Sequence, residues 1–374
     1  MTSPLQVLHI FPGFAVGGAQ MRSVALAKGL GHDFAHTVMS LNGETSAARF
    51  LASDDPVTLA AAPSAAGSLM ARLSRYRKTL KERAPDLLVT YNWGAIEWAL
   101  ANNALGIAHI HIEDGFGPEE SKRQFPRRIW TRRLALRRSQ LVVPSLTLKE
   151  MALKVWHLNP AQIRYIPNGI EPRENFQTRL GELGLGLPPG KPLIAWAGAL
   201  RREKNLTRLL RAFAPLKREA CLLIIGEGPE MAAARVEAES LSIAQSVRFL
   251  GRREDVRDIL MQCDILALSS DTEQMPLVVM EAMDAGLPVA STAVGDVKYM
   301  VCEENQPYIV QGSAPELGAA MRALVADGAV RRTIGVANQR RLRQDYAAQD
   351  MIAAYRALFR GRAGRVNKGL KSCA

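Results

Sequence analysis

Two glutamates, Glu273 and Glu281, stand on either side of a proline and an apolar run. The preceding segment, Asp264–Leu268, is predicted to be a strand, and open α/β sheets bind ligands where such strands end. Pro276 suits the first turn of a helix, where three backbone amides would be free to hold a phosphate, those of Met275, Leu277 and Val278. A carboxylate accepts two hydrogen bonds from neighbouring hydroxyls, so the two glutamates suit ribose and sugar hydroxyls. On charge alone, the alternative is that Glu273 complements the helix N-terminus and Glu281 is solvated.

A second loop carries three cations. Arg201, Arg202 and Lys204 follow another predicted strand, Pro192–Gly198, and precede a helical pattern. Lys204 at a helix beginning is placed to neutralise a diphosphate, with the two arginines nearby; a solvated basic loop is the alternative. This loop and the glutamate segment fall on the same side of one predicted sheet. Together they predict a site for a ribose joined to a diphosphate.

The N-terminal half has a glycine pair at a strand end. Gly17 and Gly18 follow the first predicted strand, where missing side chains let a phosphate or a sugar approach the backbone amides. Their spacing is not the GxGxxG dinucleotide fingerprint, so a hydride-transfer enzyme is disfavoured. Tight packing between strand and helix is the alternative.

A histidine pair ends another predicted strand. Strand alternation puts His109 and His111 on one face, and Glu113 and Asp114 follow directly. Three of these side chains, His109, Glu113 and Asp114, are candidates for binding an acceptor; Glu113 and Asp114 could orient it, or either could act as a base. The alternative is a pair of core or surface histidines.

Four basic pairs repeat every five residues between Lys122 and Arg138. They are Lys122-Arg123, Arg127-Arg128, Arg132-Arg133 and Arg137-Arg138, and apolar residues interleave them, namely Phe125, Ile129, Trp130, Leu134 and Leu136. On a helix the apolar residues would form a stripe flanked by cations, which suits the surface of an anionic bilayer. The predicted membrane contacts are Arg127, Arg128, Arg132 and Arg133. A solvated basic face is the alternative, and nucleic acid is disfavoured because no aromatic strand platform or zinc module accompanies the charge.

Two series of short apolar runs alternate with helical patterns, which predicts βα units around parallel sheets. The first series is Leu5–Phe11, His36–Leu41, Asp86–Tyr91, Ala108–Ile112 and Leu141–Pro144; the second is Pro192–Gly198, Cys221–Gly226, Val247–Leu250, Asp264–Leu268 and Pro288–Ala290. These arrays predict two doubly wound α/β domains, residues 1–180 and 181–345, with the Gly- and Pro-rich stretch Gly181–Pro192 as the linker. A helical pattern over 346–360 and a basic tail over 361–374, expected to be disordered, follow.

Composition narrows the class of protein. The 374 residues include 48 Lys and Arg against 36 Asp and Glu, a net charge of +12, which favours an acidic partner such as nucleic acid, an anionic lipid surface or a phosphorylated substrate. The four cysteines form no CxxC pair, so neither a zinc site nor a disulfide framework is expected. No signal-like N-terminus and no apolar run of about 18 residues is present. We therefore expect a cytoplasmic protein that is neither secreted nor integral to a membrane.

These motifs together resemble the retaining glycosyltransferases of family 4. The resemblance rests on the Glu273-x7-Glu281 segment ending in Glu-Ala-Met-x-x-Gly-x-Pro-Val, the Glu-Lys-Asn turn, Pro167-Asn-Gly-Ile170 and Gly17-Gly18-Ala-Gln20, and it runs from about Leu5 to Phe359. It implies the GT-B fold, in which two Rossmann-like domains face each other across a cleft. The acceptor would bind the N-terminal domain and the nucleotide sugar the C-terminal domain, and the helix over 346–360 would return to the N-terminal domain.

The resemblance also implies residue roles. Glu281 would hold the ribose of a UDP- or GDP-sugar, Glu273 would contact the transferred sugar, and Lys204 would bind the diphosphate. Asn168 joins the implied donor contacts. The family match favours His111 over His109 beside the donor sugar, so the implied catalytic residues are His111, Lys204 and Glu273.

One departure affects the phosphate site. The family commonly has Gly-Arg-Leu where this chain has Gly198-Ala199-Leu200. Arg201 or Arg202 would then substitute for the missing arginine.

The protein expected from the sequence is a retaining glycosyltransferase of cell-envelope polysaccharide or glycolipid synthesis. Its acceptor would be a glycan or a lipid-linked glycan at the inner face of a membrane, where the basic stretch would bind anionic lipid. The chain has no Asp-x-Asp pair to carry a divalent cation, so neither a metal nor another cofactor is expected. The alternatives are a nucleotide-sugar epimerase of related architecture and a non-catalytic basic protein that binds membranes or nucleic acid.

Overall fold

The computed structural model describes residues 3–116, 120, 124–173, 175 and 178–371, with side chains as far as residue 363. The chain divides into two compact units. The first unit comprises Met1–Gly169 and Ala348–Ala374, and the second unit comprises Ile170–Ala347. No helix in the described ranges is both long enough and apolar enough to cross a membrane.

The first unit is built on a seven-stranded parallel sheet. Its strands are β1 (Leu5–Phe11), β2 (Phe34–Ser40), β3 (Val57–Ala61), β4 (Leu87–Tyr91), β5 (His109–Ile112), β6 (Gln140–Val143) and β7 (Ile163–Tyr165). They lie in the order β3-β2-β1-β4-β5-β6-β7. Its helices are α1 (Gly18–Leu30), α2 (Leu69–Arg83), α3 (Ile96–Asn102), α4 (Pro126–Leu136), α5 (Leu146–Lys154) and, at the end of the chain, α13 (Ala348–Lys371).

Helices cover both faces of this sheet, so its central strands are apolar on both sides. Val7 and Phe11 of β1 belong to the core cluster that includes residues of α1 and α13. Leu8 and Ile10 point to the opposite face, into the cluster that includes residues of α2 and α3. The strand order reverses between β1 and β4, and the crevice outside the carboxyl ends of these strands is the usual ligand site of such folds.

The second unit repeats this architecture with a six-stranded parallel sheet. Its strands are β8 (Leu193–Ala197), β9 (Cys221–Ile225), β10 (Val247–Gly251), β11 (Ile265–Leu268), β12 (Val289–Thr292) and β13 (Ile309–Val310). They lie in the order β10-β9-β8-β11-β12-β13, so the order reverses between β8 and β11. Its helices are α6 (Leu206–Phe213), α7 (Met231–Ser240), α8 (Val256–Leu260), α9 (Leu277–Asp284), α10 (Val297–Met300), α11 (Ala314–Ala326) and α12 (Gly328–Asp345).

The prediction of two doubly wound α/β domains is confirmed by these two sheets. The ten predicted strands are all present, within a few residues of their predicted bounds. Three further strands, β3, β7 and β13, were not predicted, and each of them is an edge strand.

The boundary between the units lies at Gly169 and Ile170, before the predicted linker Gly181–Pro192. Residues from that stretch pack on the second unit instead. Leu183, Leu185 and Leu187 lie against a cluster that contains Leu223 and Ile225 of β9. Leucines at alternate positions give this Gly- and Pro-rich stretch an apolar side, and that side binds it to the sheet.

The last helix is longer than the sequence pattern indicated. The predicted helix ends at Arg360 and a disordered tail begins at Gly361, whereas α13 continues to Lys371. Met351, Tyr355, Phe359 and Ala363 are all buried and recur every four residues, on one face of the helix. Burial of this face therefore continues past Gly361, and the glycine lies inside the helix.

Candidate active site

Two loops of the second unit meet where its strand order reverses. One follows β8 and contains the basic turn; the other follows β11 and contains Glu273. Ser269 Oγ donates a hydrogen bond to the Lys204 carbonyl at 2.8 Å, and the Asp271 amide donates to the Glu203 carbonyl at 2.7 Å. The two segments singled out in the sequence therefore form one site.

Lys204 and Glu273 are in direct contact at the centre of this site. Lys204 Nζ lies 2.5 Å from Glu273 Oε1, and Ser270 Oγ donates to the same oxygen at 2.8 Å. The two charged side chains keep 24% and 11% of their surface exposed. An ammonium group has three N–H donors, so Lys204 can hold Glu273 and also bind phosphate oxygens. Glu273 is fixed through one oxygen, and its second oxygen can accept a hydroxyl.

A glycine in the third loop of this edge supports the glutamate. Gly295, in the loop after β12, has φ of +52°, and a Cβ atom there would lie 2.5 Å from the carbonyl oxygens of Glu273 and Gln274. The Asp296 amide donates to the Gln274 carbonyl at 2.8 Å, and Thr292 Oγ1 donates to the Ser270 carbonyl at 2.7 Å. Sequence analysis missed Gly295, because a lone Ala-Val-Gly-Asp turn carries no recognisable spacing.

The loop around Ala199 packs closely against Gly226, whose role sequence analysis also missed. A Cβ atom on Gly226 would lie 1.9 Å from the Gly198 carbonyl oxygen, and the Leu200 amide donates to the Glu227 carbonyl at 2.8 Å. The backbone at Ala199 is thus fixed although the usual arginine is absent. Arg201 and Arg202 extend from this loop as exposed side chains.

The start of α9 lies one residue later than predicted. Pro276 is the N-cap with extended backbone, and Leu277 and Val278 form the first turn, where helix amides lack intrahelical partners. Met275 and Pro276 are buried, so they shape the loop rather than presenting side chains.

Glu281 follows one turn after Leu277 and is partly buried. Burial raises the pKa of its carboxyl, an effect that Arg257 opposes and Asp284 reinforces. A carboxylate with incomplete hydration gains from a ligand that supplies hydroxyl donors.

In the first unit, the glycine pair begins α1 at the carboxyl end of β1. Gly17 is the N-cap with extended backbone, and Gly18 is exposed in the first turn. Gln20 holds the preceding loop, since its Nε2 donates to the Gly13 carbonyl at 2.8 Å. The pair thus occupies the point where the strand order of this unit reverses.

Two predicted ligand contacts, Asp114 and Asn168, hold a buried arginine. Arg22 of α1 donates to both Asp114 oxygens, at 2.5 and 2.9 Å, and to Asn168 Oδ1 at 3.0 Å. Asp114 and Asn168 are 92 and 146 positions away from Arg22 in the sequence, so no local sequence pattern identifies this arginine. Both side chains therefore have a structural role beside any contact with a ligand.

The histidine pair lies inside the first unit. Thr90 Oγ1 lies 2.9 Å from His109 Nε2 and 2.7 Å from His111 Nδ1, and His111 Nε2 lies 3.6 Å from Glu113 Oε2. Burial lowers the pKa of His109 well below its ordinary value, and His111 lowers it further. Both rings are buried in the first unit, and the contact of His111 with a sugar stays a prediction.

The basic stretch falls on α4, and the membrane prediction is wrong for one arginine. Arg132 is fully buried, because it lies on the inner face of the helix with Ala135 and Leu136. Arg128 is also turned inward and binds Glu120 at 3.0 Å. The Lys122-Arg123 pair lies outside the described residues.

The outer face of α4 does combine apolar and basic side chains. Trp130 and Leu134 are 67% and 55% exposed. Arg127 is exposed next to them, and the Arg133 guanidinium lies 4.8 Å from the centre of the Trp130 ring. The apolar residues of the predicted stripe therefore divide between two faces, since Leu136 is buried.

Comparison with known proteins gives family matches to both halves of the chain. Residues 16–174 match the family model described as glycosyltransferase family 4, and residues 184–341 match the model described as glycosyl transferases group 1.

Two curated relatives and one solved structure illustrate the likeness. The N-acetyl-alpha-D-glucosaminyl L-malate synthase of Bacillus anthracis is 24% identical over 53% of this chain and 53% of its own length. The UDP-Gal:alpha-D-GlcNAc-diphosphoundecaprenol alpha-1,3-galactosyltransferase of Escherichia coli is 25% identical over 63% of this chain and 64% of its own length. The chain thus spans about half the length of the first relative. The structure of HepE from Anabaena in complex with UDP superposes with a TM-score of 0.77 and 18% identity, covering 98% of this chain and all of that one, which shows a shared fold.

Proposed function

Since the chain belongs to the group 1 glycosyltransferases of family 4 and has the GT-B fold, we propose that it is a retaining enzyme with a UDP- or GDP-sugar as its donor. The family resemblance stated from the sequence is confirmed by both family models. The observation that carries the proposal is the contact of Lys204 and Ser270 with Glu273 at the reversal point of the second sheet.

The donor would be held by groups that suit each of its parts. Lys204 and the amides of Leu277 and Val278 would bind the diphosphate, with Arg201 or Arg202 from the adjacent turn. Glu281 would accept the ribose hydroxyls, and Glu273 would accept a hydroxyl of the sugar.

Transfer would proceed with retention, the diphosphate leaving from the face that the acceptor hydroxyl attacks. The bond from the anomeric carbon to the diphosphate breaks, the bond to the acceptor oxygen forms, and the acceptor proton passes to the departing diphosphate. The negative charge that develops on the diphosphate is stabilised by Lys204 and the α9 amides without a metal ion.

The acceptor is proposed to be a glycan or a lipid-linked glycan of the cell envelope. The E. coli relative is, by its name, an enzyme with a diphosphoundecaprenol-linked acceptor. The exposed face of α4 supports a similar substrate here, because Trp130 and Leu134 lie between Arg127 and Arg133 as in helices that rest on anionic lipid. The protein would then act at the inner face of the membrane.

Screening UDP- and GDP-sugars for thermal stabilisation tests the donor. A ligand at about 100 times its dissociation constant adds about 2.7 kcal/mol of stability, and the stabilising compound should then be consumed when a lipid-linked glycan is added. Conversion of the donor to an epimer without acceptor would instead identify an epimerase.

Vesicle co-sedimentation tests the membrane contact. Replacing both Arg127 and Arg133 with Glu removes two cations, each worth about 1 kcal/mol near an anionic surface, so binding should weaken at least about thirtyfold. The matched control reverses two exposed cations on α2 of the same unit, Lys78 and Lys81. If both double variants sediment equally with the vesicles, the proposed membrane contact of α4 is refuted.

A further inference from the structure

A pocket of about 330 Å³ opens in the first unit, between α4 and the loops that follow β4 and β5. Its volume lies in the range of small-molecule sites. It adjoins the carboxyl end of β4, at the reversal point of this sheet, so its place in the fold is one where ligands bind. None of the donor contacts proposed above lines it.

Arg132 gives this pocket a buried donor that the protein does not use. Its Nη2 donates to Glu120 at 3.2 Å, and its Nε lies 3.5 Å from Glu113. Its Nη1 is buried and has no hydrogen-bond partner among the described residues. Leaving such a charged donor unpaired is costly, which indicates that a ligand oxygen accepts from it.

Aromatic rings fix the direction of this guanidinium. Its centre lies 5.0 Å from the Trp93 ring, 5.3 Å from the Phe116 ring and 4.8 Å from the Trp156 ring. A guanidinium held on several sides by rings and carboxylates keeps one orientation. The binding group is therefore preorganised, which lowers the entropy cost of binding.

The charges that line the pocket identify the ligand class. Arg128 and Arg132 supply two positive charges, and Asp114 and Glu120 supply two negative charges. A phosphate or carboxylate would meet acids as well as bases here. A sugar hydroxyl both donates and accepts, so a ring of hydroxyls can use the arginine donors and the carboxylate acceptors together.

We propose that this pocket binds one uncharged sugar unit of the acceptor. The inference rests on the proposed function, which it deepens by naming the acceptor-side chemistry. Arg132 Nη1 and the Arg128 guanidinium donate to sugar oxygens, and the Asp114 and Glu120 carboxylates accept from sugar hydroxyls.

Saturation-transfer NMR on the full chain tests this, with the methyl glycosides of glucose, galactose, mannose and N-acetylglucosamine as probes. At least one glycoside should bind the wild type, and Arg128→Ala should weaken its binding about tenfold, as for a lost hydrogen bond to a charged group. Lys149→Ala removes an exposed cation elsewhere on the first unit and is the matched control. Glu120→Gln keeps the shape of the side chain but removes a charged acceptor, so glycoside binding should also weaken, by up to about tenfold.

Two results would overturn the inference. One is the absence of saturation transfer from every glycoside in the wild type. The other is displacement of the glycoside by inorganic phosphate, since that result identifies an anion site. Calorimetry with UDP and GDP on the same samples tests the donor side separately, so nucleotide binding without glycoside binding refutes only this inference.

Discussion

Replacement of Gly295 by alanine adds one methyl group and should lower the turnover of the enzyme. Two costs arise. The first is conformational, since φ of +52° at Gly295 costs a residue with a Cβ atom about 1–2 kcal/mol. The second is steric, since the new Cβ would lie 2.5 Å from two carbonyl oxygens where real contacts stay above 3.0 Å. The loop that carries Glu273 must therefore move by about half an ångström, and a misplacement of about 1 Å can cost about 100-fold in rate.

Gly184→Ala separates these two costs. Gly184 lies in the same unit with φ of +60°, but a Cβ atom there would meet nothing within 4 Å. Both variants should lose about 1–2 kcal/mol of unfolding free energy from the backbone, and Gly295→Ala up to about 3 kcal/mol more from the contact. Only Gly295→Ala should slow transfer, by about tenfold. The assays are denaturant unfolding and steady-state transfer; equal turnover in the two variants would refute the claim that Gly295 positions Glu273.

Three further outcomes are expected. Lys204→Ala should raise the barrier to transfer by at least about 2.7 kcal/mol, as for loss of one oxyanion donor; loss of wild-type activity in EDTA with recovery in magnesium would contradict the metal-free mechanism. Calorimetry should show Glu281→Ala losing about 1.5–3 kcal/mol of affinity for bare nucleotide diphosphate and donor alike, whereas Glu273→Gln should mainly lower turnover; equal affinity losses would remove this division of roles. Burial lowers the pKa of His36 from 6.5 to about 4, so the folded state binds fewer protons than the unfolded state and stability should fall as pH drops from 6.5 towards 4. Thermal melts across that range should show a smaller fall in stability for His36→Gln than for the wild type. The control His32→Gln, which replaces an exposed histidine, should behave as the wild type does. An equal fall in stability in both variants would refute the contribution of His36.

Most of the strands that sequence analysis found are strongly buried; β10, an edge strand with one buried residue, is an exception. Central strands such as β9 are buried at every residue, and a continuous apolar run between turn residues marks them. The missed strands lie at sheet edges. β3 has no fully buried residue, and β13 has only two residues. Their hydrogen bonds to a neighbouring strand define them, and a partner distant in sequence leaves no local pattern.

The same distinction applies to the site. The contact between Lys204 and Glu273 follows from two strand ends that share one edge of a sheet, so sequence reasoning could anticipate their proximity. Arg132 looked like one cation among eight, because its burial depends on Glu120 and on rings contributed by three other segments. Helical period alone does not decide which face of α4 turns inward. Tertiary contacts made that choice.

The position of α13 at the end of the chain also determines which unit can complete its folding first during synthesis. The second unit is one continuous stretch, so all of its residues have been synthesised once Ala347 is added. The first unit at that moment still lacks Met351, Tyr355 and Phe359, which complete the core around Phe34. Until α13 is synthesised, one apolar face of the first unit's sheet stays uncovered, whereas the second unit can already fold. A chain whose synthesis stops between Ala347 and Phe359 would contain a complete second unit and an incomplete first unit. Chaperones and proteases would recognise the incomplete unit.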